Sequence, residues 1–373
     1  MSTLELTRLV SQAQTEVSRQ MTVCNACRYC EGICGVFPAM ELRTEFGSGD
    51  VDYLANLCHN CGACYFDCQY APPHEFAINV PVALSTLREE SYARYAWPSA
   101  ASGLFERNGL KIAWLSVLAI AIFIAGFVGL SDPQALFASG TEQGAFYRVM
   151  PHNAMVLVFG GVFLFSIVAI SMGVRQFWRG PGPLEGVGLN SLLQASRDAA
   201  SLRYLDGGGM GCMNDGERPD NKRRRYHHYT FYGFLLCLAS TSIATIFHYV
   251  FDWQAPYAWW SAPVVLGTIG GIGIVVGPWG LLQEKKSRYE AIRPAGNSGM
   301  DAAFLWMLMM VGVTGLLLLF LRATPAMGLI LAVHLGFVFA FFLSMPYGKF
   351  VHGLYRFAAL MRHAHEQAVH AKS

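Results

Sequence analysis

Six stretches of the chain run without an Asp, Glu, Lys or Arg: Ile112–Leu130, Ala154–Val174, Tyr229–Phe251, Pro263–Leu282, Ala302–Leu321 and Ala326–Met345. Each is apolar all round, with no polar stripe, and each is close to the about 20 residues that a helix needs to cross a bilayer. One or two such runs would suit the core helices of a large soluble protein. Six in one chain predict an all-α membrane protein, a six-helix transmembrane bundle. The segment before the first run has no comparable stretch and reads as a separate head. The expected division is therefore residues 1–105 as head and 106–373 as membrane domain, with a long loop at 175–228.

Composition sharpens this division. Hydrophobic residues make up 53% of the chain and charged ones 14%, against about 25% charge in an ordinary soluble domain. The net charge of +2 gives no argument for nucleic acid as a partner. The basic residues are distributed unevenly. Arg175, Arg179, Arg197, Arg203, Arg218 and Lys222–Arg225 follow the second run, and Lys285, Lys286, Arg288 and Arg293 follow the fourth. Lys349, Arg356, Arg362 and Lys372 follow the sixth, while the loops on the other side hold only Arg148 and Arg322. By the positive-inside rule both termini face the cytoplasm, in a multi-pass protein of the inner (plasma) membrane. Met1–Val10 lacks an apolar core, so no cleaved signal peptide is expected. Gly267, Gly271, Gly273 and Gly277 form two small-xxx-small patterns in the fourth run, which predict close helix packing. Segment 180–221, polar and glycine-rich with Cys212, reads as a cytoplasmic loop. It lacks the strand–turn–helix context of a nucleotide fingerprint.

Eight of the ten cysteines fall between Cys24 and Cys68, in two runs of the form C-x2-C-x2-C-x3-C. The first comprises Cys24, Cys27, Cys30 and Cys34, and the second Cys58, Cys61, Cys64 and Cys68. Three thiolates three residues apart can converge on one iron–sulfur cubane, whose fourth ligand comes from farther away. In two-cluster ferredoxins the fourth cysteine of each run serves the other cluster. On that rule Cys24, Cys27, Cys30 and Cys68 hold one 4Fe–4S cluster, and Cys58, Cys61, Cys64 and Cys34 hold the second. The head is then a ferredoxin-like helical unit with two clusters that relays electrons and performs no bond chemistry. Disulfides are disfavoured on the cytoplasmic side, and four-cysteine zinc sites usually use two separated C-x2-C pairs. Gly35 and Gln69 stand where ferredoxins carry a proline after the fourth cysteine. His59 reads as an exposed polar neighbour.

Histidines are costly inside spans and are functional candidates there. His248 and His334 lie toward the outer side, and His227, His228 and His352 toward the inner. His334 and His352 are eighteen residues apart, five helical turns or about 27 Å on one face, unless Pro346 bends the register. This arrangement suits one or two b haems held by pairs of histidines. An outer pair would be His248 with His334, with His152 as a rival, and an inner pair His228 (or His227) with His352. The competing reading is interfacial histidines among basic residues and, for His334, a hydrogen-bonded bundle residue. His363, His365 and His370 read as solvated.

From about Cys24 onward the chain resembles the tricarballylate/citrate-utilisation protein B family. The likeness is carried by CNACRYCEGICGVFPAM (24–40), YLANLCHNCGACYFDCQYAPPHEFAINV (53–80), RYHHYTFYGFLLC (225–237) and MPYGKFVHGLYRF (345–357). PYGKFVH (346–352), with His334 upstream, is also similar to the haem-binding helix of the nitrate reductase gamma subunit family. The resemblance implies a membrane iron–sulfur protein, with haem in relatives. Its partner would be an FAD-dependent dehydrogenase that oxidises tricarballylate, whose reduced flavin it reoxidises while passing electrons to quinone. Two alternatives stand beside this: the same relay serving another flavin dehydrogenase, and a transporter with a redox-sensing head. The second predicts ionisable residues at mid-membrane, which the six runs lack. The basic inner face, Lys222–Arg225 with Lys349 and Arg356, suits either an acidic flavoprotein or anionic lipid headgroups.

Overall fold

A computed structural model describes residues 11–371, apart from 131–132, 138, 141, 185, 215–217 and 294–297. The signal-peptide expectation concerns residues 1–10, outside those described. Among the described residues the chain is almost entirely helical, with one strand pair of two residues each.

The head begins with α1 (Gln12–Cys27). Ser11 opens it with a reciprocal cap: its hydroxyl accepts from the Gln14 amide at 3.2 Å, and the Gln14 side chain accepts from the Ser11 amide at 3.1 Å, which satisfies two otherwise orphaned donors. The helix stops at Arg28, which sits in the left-handed region at φ 55°. Four further helices follow: α2 (Val36–Glu41), α3 (Ser48–Leu57), α4 (Ala63–Phe66) and α5 (Val80–Arg94). Their shared interior holds Val17, Met21, Phe37, Tyr53, Leu54, Leu84 and Leu87, each 2% exposed or less. Complete burial of a large apolar side chain is worth roughly 1.5–3 kcal/mol.

Six helices are long and apolar enough to cross a membrane. They are α6 (Asn108–Leu130), α7 (His152–Arg179), α9 (Lys222–Phe251), α10 (Ala262–Lys286), α11 (Ser298–Leu321) and α12 (Met327–Ser344). α9 pairs with α10, α10 with α11, α11 with both α6 and α12, and α7 with α12. The expected glycine packing is present. A Cβ on Gly277 would lie 2.4 Å from Thr230 Oγ1, and one on Gly273 would lie 2.8 Å from the Tyr229 carbonyl, so α9 and α10 touch backbone to backbone. Gly271 faces Leu316 of α11 instead. Trp253, Trp259 and Trp260 are exposed at the α9–α10 connection, as amphipathic rings are at a membrane–water boundary.

Two parts of the chain differ from the sequence expectation. First, α12 ends at Ser344, and a 3₁₀ turn at Met345–Tyr347 separates it from α13 (Val351–His370). Pro346 has no amide to donate and interrupts the ladder, so the five-turn register between His334 and His352 does not hold. Second, segment 180–221 is structured. It contains α8 (Leu189–Ser201), a 3₁₀ stretch (Arg203–Gly209) and an antiparallel pair of β1 (Cys212–Met213) with β2 (Pro219–Asp220). α8 packs on α13, and α13 packs on α3 and α7.

The last helix therefore belongs to the head's interior. Val351, Tyr355, Ala358, Ala359 and Leu360 share one buried cluster with Tyr53, Leu54 and Tyr92. Glu366 accepts from Arg43 at 2.7 Å, from Arg362 at 2.9 Å and from the Tyr53 hydroxyl at 3.2 Å. Where α3 meets the end of α7, a Cβ on Gly49 would stand 2.1 Å from the Gly180 carbonyl. Only glycine permits that contact.

Candidate functional site

The end of α1 carries Cys24 and Cys27 on its final turn, and the left-handed Arg28 folds the chain back so that Cys30 returns toward them while Cys34 lies toward the second run. In the second run, Cys58 caps α3, Gly62 turns at φ 94°, and α4 begins beside Cys64. The eight sulfurs divide between two cavities. One, about 230 Å³, is lined by Cys24, Cys27, Cys30 and Cys68 with Phe37, Asp67, Tyr70 and Ile78. The other, much tighter, is lined by Cys34, Cys58, Cys61 and Cys64 with Tyr204. Three cysteines of each set come from one run and one from the other, the same division as the interleaved reading of the sequence. All four cysteines of the first set are partly exposed, while Cys58 and Cys61 are buried; the sets are called outer and inner below. Among the described residues no three His, Cys, Asp or Glu side chains converge as ligands of a single metal ion.

The donor chemistry fits an iron–sulfur group. Burial, then the charges of the other cysteines, lifts the Cys24 and Cys30 thiols to about 12. Burial lifts Cys61 to about 11, and burial likewise pushes the Cys34 and Cys64 thiols well up. Thiolates in such places need a cationic core between them, which is what iron supplies.

The inner quartet also has an unusual surround. Arg88 Nη1 donates to the Cys58 carbonyl at 2.6 Å and Arg356 Nη2 to the same oxygen at 2.8 Å. Arg223 donates to the carbonyls of Asn60 at 2.7 Å and His59 at 3.3 Å, and Arg288 to the Asn60 carbonyl and side chain. The Nε atoms of Arg88 and Arg288 are buried without a partner. Burial and the neighbouring guanidinium groups lower Arg356 to about 10 and Arg288 to about 9. The 180–221 segment closes the remaining side. Met213 donates to the Cys61 carbonyl at 3.1 Å, Gly207 lies against Cys61, and buried Cys212 points its sulfur at the Leu205 carbonyl 3.1 Å away.

Of the histidines, the structure brings His227 and His352 together, with ring centroids 6.1 Å apart and planes at 71°. Two imidazoles in contact place two nitrogen donors near one another, which could hold a metal-containing group. His352 Nδ1 donates to the Lys349 carbonyl, an arrangement that fixes the ring of a ligating histidine. Burial and then Arg356 hold His352 well below the usual imidazole range, so it is neutral, the state that binds metal. His228 turns aside toward Tyr232. The outer pair expected from sequence is not formed. His248 stacks on His152 at 3.7 Å and 19°, whereas His334 Nδ1 meets Thr314 Oγ1 at 3.0 Å on the α11 side of α12. The sequence placed both residues in apolar runs that form helices, but not the face that each presents.

Other expectations are corrected here too. His59 is 6% exposed, donating from Nδ1 to the Leu57 carbonyl. His363 and His365 are buried because α13 lies in the head, with His363 against Gly35 and Tyr204. His370 is exposed. Sequence reasoning missed Arg88, Tyr204 and the inner role of Arg223, Arg288 and Arg356, since basic residues beside spans look like the ordinary inside bias.

Residues 17–94 match a family model described as the Citrate utilization protein B Fer4-like domain, and residues 105–373 match one described as Citrate utilization protein B. The chain is 47% identical over 366 residues to Citrate utilization protein B of Escherichia coli, an alignment covering 96% of this chain and 94% of that protein. No solved structure matches.

Proposed function

This chain belongs to the Citrate utilization protein B family, and on that premise we propose that it is a membrane electron-transfer subunit. It reoxidises the reduced FAD of a partner dehydrogenase, tricarballylate dehydrogenase by the family's role, and delivers the electrons to quinone in the inner membrane, with both termini cytoplasmic. The observation that carries this reading is the pair of cysteine quartets, one partly exposed throughout and one with Cys58 and Cys61 buried beside Arg223 at the start of α9. Bound 4Fe–4S clusters would supply one-electron storage at both. Cys24, Cys27, Cys30 and Cys68 would hold the outer cluster, and Cys34, Cys58, Cys61 and Cys64 the inner. Tyr29, 71% exposed beside the outer cavity, leaves that side open to a flavoprotein. On the membrane side, His227 and His352 would hold a b haem, with the Lys349 carbonyl orienting one ring.

The test is the protein purified from membranes in mild detergent. Expected are iron and acid-labile sulfide for two clusters, a reduced b-type haem band after dithionite, and reoxidation by a soluble quinone. Protein without iron would sink the whole reading. Loss of the haem band alone would remove His227 and His352 from the path, and failure of quinone to reoxidise would remove the acceptor.

A further inference from the structure

Four guanidinium groups, Arg88 and Arg288 buried and Arg223 and Arg356 partly buried, converge on the three residues Cys58, His59 and Asn60. They arrive from separate places in the chain: Arg88 from α5, Arg223 from the start of α9, Arg288 from the connection after α10, and Arg356 from α13. Among the described residues none of the four has a carboxylate within ion-pairing distance. Elsewhere in the head and its cover, Arg43, Arg94, Arg203, Arg224 and Arg362 each have one. Holding a backbone loop in place needs hydrogen-bond donors but not four positive charges, and uncompensated buried charge is costly. Two of the four also keep a buried Nε with no acceptor. The cost is offset if the neighbouring quartet carries the missing anion. Neither cavity is lined by an arginine; the four reach the inner quartet through the Cys58–Asn60 backbone, whereas the outer quartet has Asp67 in its cavity wall.

We propose that Arg88, Arg223, Arg288 and Arg356 form a charge collar that makes the inner quartet the stronger electron acceptor of the two, so that the collar and Asp67 together set the direction of transfer from the exposed site toward the membrane. An iron–sulfur group bound by four thiolates is anionic, and gaining an electron adds one further negative charge. In a low-dielectric surround, nearby positive charge favours that gain and nearby negative charge opposes it. The electron balance is simple: one electron leaves the outer site as one arrives at the inner, with no proton or co-reactant. This inference rests on the reading that both quartets hold clusters.

The experiment is a redox titration of the full-length protein followed by electron paramagnetic resonance. Wild type is expected to show two clusters with separate midpoint potentials. Arg356→Gln lowers the higher potential and leaves the lower one in place, whereas Arg356→Lys, which keeps the charge, stays near wild type. Should Arg356→Gln not accumulate, Arg288→Gln gives the same reading. The exposed Asp67→Asn raises the lower potential alone and narrows the gap. Neutralised arginines that move neither potential, or both equally, overturn the collar, as does a lysine variant that behaves like the glutamine one. A wild-type protein lacking two clusters would overturn the proposed function instead, so the two failures are distinguishable.

Discussion

At the level of single residues, contact geometry separates neighbours that look equivalent in the sequence. His227 and His228 are adjacent, yet only His227 faces His352. His227→Ala and His352→Ala are expected to abolish the reduced-minus-oxidised b-haem signal, and His228→Ala to preserve it. A haem that survives His352→Ala would show that the pair is structural. Glu366 makes a second residue-scale case, since one carboxylate accepts from Arg43, Arg362 and Tyr53 across the head. Glu366→Ala strands two largely buried guanidinium groups, a loss of about 3 kcal/mol, less whatever Asp50 recovers for Arg43. The melting temperature in detergent should fall by several degrees. The cysteines were legible because spacing in sequence dictates convergence in space. Arg356 was not, because a charge at a membrane face looks the same whether it points to solvent or to a buried carbonyl.

At the level of elements, five of the six runs without charge correspond to helices that overrun them, chiefly on the side of the basic residues, as where α7 continues to Arg179 and α9 starts at Lys222; α12 falls within its run because Pro346 ends it. Apolar length is visible in a sequence; the polar helical turns that extend a span beyond the bilayer are not. The glycine pattern was legible as packing, although the partner of each glycine was not. Gly273 and Gly277 serve α9, while Gly271 serves α11. Gly277→Leu should separate α9 from α10 and cost about 1–3 kcal/mol or more through overpacking, read as a lower melting temperature. Gly160→Leu, where nothing lies within 4 Å of the added carbon, is the control. The break at Met345–Tyr347 was signalled by Pro346, but its consequence, a final helix turned into the head, came from tertiary contacts alone.

For the whole molecule, two linear segments do not make two independent bodies. Residues 351–370, far from the cysteines in sequence, fill the interior around Tyr53 and Tyr92, and the 3₁₀ stretch Arg203–Gly209 with the short hairpin covers the inner quartet. A chain ending at Phe350 should still insert its membrane helices. Its head should lose most of its iron and become susceptible to limited proteolysis between α1 and α5. An unchanged iron content would show that the head folds without α13.

That same helix has a consequence for biosynthesis. Arg43 and its partner Glu366 are separated by 323 positions, so the cysteine motifs emerge from the ribosome long before the segment that seals them. The head thus gains its full interior only when this much later segment has packed against it, so its completion depends on contacts that the cysteine motifs do not themselves encode.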